Sequence, residues 1–106
     1  MPRQSLGEFE QLVLLACVRL GPDAYVVPII DEIAARAGRD VSHAAVYVAL
    51  QRLEKKGLVS SRMGDPVAKR GGRSKRHFEV LPEAVEQLRA ARDALLNMWD
   101  GVEAGR

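Results

Sequence analysis

The sequence predicts a mainly α-helical fold that carries one small β-hairpin. Apolar residues recur at helical spacing in four segments. Two short strand-like runs, LVSSRM (58–63) and KRHFEV (75–80), flank a loop with Gly, Pro and Asp. Serine, proline or glycine stands at most of the segment boundaries. At 106 residues and 47% hydrophobic content, the chain has the length of one domain and enough apolar surface for a modest core.

The first helix opens in SLGEFEQLVLLACVRLG, where Ser5 and Glu8 have capping-box spacing. Phe9, Leu12, Val13, Ala16 and Leu20 then recur until Gly21 stops the pattern, while Leu14, Leu15 and Val18 imply cover on more than one side. GPDAY reads as a loop. Pro28 suits the first turn of a second helix carrying Ile29, Ile30, Ile33, Ala34 and Ala37, with Gly38 as C-terminal cap. Ser42 is a good N-cap for a third helix, in which Val46, Leu50 and Leu53 share one side until Gly57. At 100° per residue the other side presents Ala44, Tyr47, Val48, Gln51 and Lys55.

The short link GRDVS makes the second and third helices a helix-turn-helix candidate, and the hairpin that follows extends it to a winged helix-turn-helix over residues 5–80. Pro82 and Glu83 start a last helix within residues 81–101. Val85, Leu88, Leu95 and Trp99 form its stripe, with Ala84, Ala91 and Met98 beside it and Arg92 interrupting. Three helices and a hairpin close a core without this helix, so its wide apolar side is expected to bury against a second copy as a dimerisation helix. Residues 1–4 and 102–106 are expected to fray.

Charge is concentrated. The net charge is only +2, yet residues 62–77 hold Arg62, Lys69, Arg70, Arg73, Lys75 and Arg76 against Asp65 alone, so the rest of the chain is net acidic. No amphipathic basic helix or lipidation signal accompanies the stretch, so a phosphate backbone suits it better than a membrane surface. Double-stranded DNA is the expected partner. The wing can meet phosphates or enter a minor groove while the third helix occupies the major groove.

Other chemistries lack their signatures. His43 and His77 have no i, i+4 metal spacing and no cysteine cluster, and neither a nucleophile elbow nor a dinucleotide fingerprint occurs. Gly71 and Gly72 give a flexible wing tip without the GxxxxGK[ST] spacing of a P-loop. No catalytic residue, metal or cofactor is expected. Cys17, the only cysteine, reads as a small buried hydrophobe. Without a leader pattern or a membrane-length apolar run, a cytoplasmic location is expected.

LGEFEQLVLLACVRLG, AYVVPIIDEI, VSHAAVYVALQRLEKKGLV and GDPVAKRGGRSKRHFEVLPEA together resemble the PadR family of bacterial transcriptional regulators from about residue 5 onward. The most specific part is AVYVALQRLEKKGLV, followed by a GGR-containing wing and a Leu-Pro-Glu helix start. The resemblance implies a homodimeric repressor of the form with a single C-terminal helix, binding an inverted repeat in a promoter. Helix one and the last helix would make the dimer, which points to Leu12 and Leu15 with Val85, Leu88, Leu95 and Trp99. Tyr47 would lie on the recognition helix, and Lys75 and Arg76 on the strand leaving the wing. Where many relatives have Tyr-Gly, this sequence has Tyr25-Val26, which lacks easy access to positive φ.

The candidate DNA contacts are therefore Ser42, His43, Ala44, Tyr47 and Gln51 on the helix and Lys69, Arg70, Arg73, Lys75 and Arg76 on the wing. Ser42 caps the helix, and free N–H groups there favour a phosphate. Gln51 pairs best with adenine, and Tyr47 can take a phosphate or a thymine methyl. Ala44 and Val48 are apolar, so readout leans on DNA shape. Trp99 anchors the dimer or, with Val18 and Met98, lines a pocket for a small hydrophobic effector; PadR-like proteins that sense phenolic or multidrug-like compounds permit the latter. A competing reading is a winged-helix protein-interaction module with non-specific DNA affinity.

Overall fold

The computed structural model describes residues 6–64 and 75–102. The order is α1 (Glu8–Leu20), a single 3-10 turn (Gly21–Asp23), α2 (Val26–Ala37), α3 (His43–Lys55), β1 (Val59–Met63), β2 (Arg76–Val80) and α4 (Pro82–Trp99). β1 and β2 pair antiparallel, with Val59 opposite Val80, Ser61 opposite Phe78 and Met63 opposite Arg76. The fold is a winged helix-turn-helix with an added C-terminal helix. No helix among the described residues is long and apolar enough to cross a membrane.

The core is one cluster to which every helix and both strands contribute. Val13, Leu14 and Cys17 of α1 meet Ile29 and Ile33 of α2 and Val46, Leu50 and Leu53 of α3, while Leu58, Val59 and Phe78 close it beneath the hairpin. Burial pushes the Cys17 thiol up to about 12, so it stays protonated and inert. Ala24, buried in the link after the 3-10 turn, accepts a 2.9 Å hydrogen bond from Phe78 N and so fastens β2 to the turn.

Two boundaries differ from the sequence reading. Helix α1 starts at Glu8, with Gly7 as N-cap, and the residue that reaches back is Glu10: its Oε1 accepts from Gly7 N at 3.1 Å. Ser5 lies outside the described residues. Glu10 prevails over Glu8 because Lys56, at the far end of α3, donates to the same oxygen at 2.8 Å and lets the carboxylate be buried. At Tyr25-Val26 no positive φ is needed: Tyr25 is the extended N-cap of α2 (φ −133°, ψ 175°) and Val26 its first residue, so valine fits. Gly38 does take the left-handed conformation expected of a C-cap, with φ 67° and ψ 28°.

Helix α4 divides in two. Ala84 and Leu88 are buried in the subunit's own core, whereas Leu95, Leu96, Met98 and Trp99 are each more than half exposed. Leu88 and Leu12, grouped with the dimer residues in the sequence, both pack on the subunit's own core, and Leu88 also lines the groove between α1 and α4. The helix ends at Trp99, and Val102 N then donates to Trp99 O at 2.8 Å.

The Glu10 and Lys56 link joins the two ends of the helical core. Burial pushes the Glu10 carboxyl upward, but the hydrogen bonds from Lys56 and Gly7 and the attraction of Lys56 and Arg52 outweigh it, leaving the group below the usual glutamate range. A carboxyl depressed in the folded state stabilises above its unfolded value and loses that contribution as pH falls through the folded value. Glu10→Gln is expected to lower the unfolding free energy by about 1–2 kcal/mol at pH 7. In denaturant titrations the gap to the parent should close as the pH is taken below 4.5, the ordinary glutamate value.

Candidate nucleic-acid interface

The rotation of α3 about its axis decides what the molecule presents. Val46, Ala49, Leu50 and Leu53 are buried, so Ala44, Tyr47, Val48, Gln51 and Lys55 face outward, as the helical period requires. Tyr47 is 37% exposed and Val48 45%, so neither is needed to close the core. Arg52, not singled out in the sequence, is also exposed beside Val48 and extends the charge of this side.

At the start of α3 the Ser42 Oγ accepts from Ala45 N at 3.0 Å, satisfying one of the orphan N–H groups of the first turn. His43 and Ala44 lie exposed in that turn, where the helix dipole is positive. All five residues named on this helix and its cap are exposed; Ala44, Tyr47 and Gln51 share the outward side, and Ser42 and His43 lie at its start.

The wing's base stands next to the far end of α3. Arg76 is exposed at the start of the returning strand with Lys75 exposed just before it, and Arg62 is exposed on the outgoing one. Lys75 Nζ sits 4.7 Å from the centroid of the Tyr25 ring, and Tyr25 meets His77 edge-on with ring centroids 5.2 Å apart. Gly64 N donates to Lys75 O at 2.8 Å and carries the ladder one step past β1. A Cβ at Gly64 would come within 3.0 Å of His77 Nε2, so the glycine allows the strands this approach. Lys69, Arg70 and Arg73, with Gly71 and Gly72, lie outside the described residues.

Arg76 is not free. Its Nη1 donates to Ser61 Oγ at 2.9 Å, and Ser61 Oγ donates to Glu54 Oε2 at 2.8 Å. The sequence reading passed over Glu54 and Ser61. The available signal was strand alternation: Ser61 and Arg76 share a sheet face with the buried Val59 and Phe78, which sets the two polar side chains on the same side of the hairpin.

Leu15 and Val18 of α1 and Val85, Leu88, Leu95, Leu96 and Trp99 of α4 line a groove of about 560 Å³, together with Gln11, Arg89 and Arg92. Val18 and Trp99 thus share one groove, whereas Met98, 77% exposed, is not part of its lining. Among the described residues no group of His, Cys, Asp and Glu is arranged to hold a metal ion.

A helix-turn-helix whose second helix is exposed beside a basic hairpin is the arrangement of winged-helix DNA-binding proteins. The chain belongs to the Transcriptional regulator PadR-like family, which it matches over residues 14–88, from the middle of α1 through the hairpin to Leu88 of α4. Membership makes it a DNA-binding transcriptional regulator. It is similar in fold to a PadR family transcriptional regulator from Eggerthella lenta, with 22% identity and a TM-score of 0.70 over 92% of this chain and 84% of that one. A PadR family regulator from Clostridium difficile gives 21% identity and a TM-score of 0.69 over 92% and 93% of the two chains. A transcriptional regulator from Clostridium thermocellum gives 18% and 0.70 over 90% and 89%. No curated protein matches the chain.

Because Ser42 closes the start of the exposed helix, Ser42→Ala should cost about 1 kcal/mol of stability in urea unfolding, and Ser42→Asp, which keeps an accepting oxygen, should cost a few tenths at most.

Proposed function

We propose that the protein is a homodimeric repressor that binds an inverted-repeat promoter operator and is released by a small hydrophobic effector. The observation that carries this reading is the outward side of α3, which keeps Tyr47, Val48 and Gln51 exposed beside a basic wing. In the bound state Ser42, His43 and Ala44 approach the backbone at the helix start, while Tyr47 and Gln51 reach base edges in the major groove. Lys69, Arg70, Arg73 and Lys75 on the wing supply sequence-independent phosphate contacts. With apolar Ala44 and Val48 on the same side, much of the selectivity falls to the shape of the duplex.

The dimer is supported by the second half of α4. Leu95 at 58% exposure and Trp99 at 53%, facing Leu15 and Val18 across one groove, form an apolar surface that a twofold-related copy would bury. Two heads related in this way meet half-sites about one helical turn, or a multiple of it, apart. A planar hydrophobic effector lodged between Val18 and Trp99 acts by preferring the head spacing that does not fit DNA, since only differential affinity shifts such a balance.

Leu95→Asp tests the assembly. Sedimentation of the parent should give about twice the 11.6 kDa chain mass, and the variant should sediment near a single chain. Affinity for a palindromic duplex should fall about 100-fold or more as the second head is lost. An unaltered species would place the interface elsewhere.

A further inference from the structure

Among the described residues the hairpin is held on two flanks. On one, Phe78 N donates to Ala24 O at 2.9 Å and His77 Nδ1 lies 2.9 Å from Pro22 O, tying β2 to the 3-10 turn. On the other, the chain of bonds from Arg76 through Ser61 to Glu54 ties β2 to α3 across β1. The Ser61 hydroxyl uses both its capacities, donating to the carboxylate and accepting from the guanidinium. Glu54 is the penultimate residue of α3 and Arg76 the first of β2, so the chain joins the end of the recognition helix to the point where the wing returns.

An acidic side chain at the end of a DNA-reading helix is otherwise unfavourable, because it repels the phosphates that the neighbouring cations attract. A role within the molecule accounts for it. We propose that Glu54, Ser61 and Arg76 form a positioning relay that sets the angle of the wing against the recognition helix, with Arg76 acting through Ser61 and Glu54 rather than as an independent phosphate contact. The inference rests on the DNA-binding reading above and adds two residues that no charge argument selects.

The relay makes a prediction opposite in sign to simple electrostatics. Glu54→Ala removes a negative charge near DNA, yet it should weaken binding to a preferred duplex by about 3- to 10-fold, because the wing loses its register with the helix. Ser61→Ala changes no charge and should weaken binding equally. The double variant should be no worse than either single one, the signature of residues acting as a unit. Ser61→Thr, which keeps the hydroxyl, should bind like the parent. Unchanged or tighter binding by Glu54→Ala, or an unaffected Ser61→Ala, overturns the proposal.

A second measurement needs no DNA. Backbone residual dipolar couplings of the free protein should fit one alignment frame for α3, β1 and β2 in the parent and in Ser61→Thr, while in Ser61→Ala the strand couplings should depart from the α3 frame. A single common frame in Ser61→Ala also overturns the relay. If the parent showed no duplex preference, the DNA reading would fail while these couplings still decided the relay.

Discussion

The burial of one side of α3 is the constraint on which the rest of the structure depends. Val46, Leu50 and Leu53 are fully buried, and residues separated by three or four positions share a helix side, so their burial leaves one choice for what faces outward. A rotation of one position, about 100°, would bring Tyr47, Gln51 and Glu54 into the core without partners and expel three large aliphatic side chains. The same seam draws in Val13 and Leu14 of α1, Ile29 and Ile33 of α2, and Phe78 of the wing. The reading surface is thus held by packing beneath it, independently of its own chemistry.

Much of this was legible because local signals and tertiary need agree. Ser42 caps α3, Gly38 ends α2 in the left-handed conformation, and the inner residues of α3 are those the period selects. The misreadings share a cause in distant contacts. Ser5 and Glu8 had the spacing of a cap, but Glu10 takes the role because Lys56, 46 positions away, makes its burial possible. Tyr25-Val26 looked awkward only against a Tyr-Gly pattern; here the pair sits at a helix start whose backbone suits any residue. The engagement of Arg76 by Ser61 was not legible either, since it depends on the strand register, which composition does not carry.

Helix α4 carries one amphipathic stripe whose two halves meet different surroundings. Ala84 and Leu88 complete the core of their own subunit, whereas the side chains from Leu95 onward run past it. Sequence periodicity cannot separate these halves, since both are apolar at the same spacing. In the proposed dimer the exposed half would set the distance between two heads whose internal geometry the α3 seam already holds. A ligand in the groove beside Val18 and Trp99 would then act on spacing without disturbing the reading surface.

In the proposed complex the outward side of α3 and the wing read duplex DNA as a pair of related heads. Selection of random duplexes on the purified protein at near-physiological salt, followed by sequencing of what is retained, tests it most directly. Enrichment of one inverted repeat whose half-sites lie about one helical turn, or a multiple, apart is the expected result. Retention of duplexes with no common sequence, or of none at all, would contradict it.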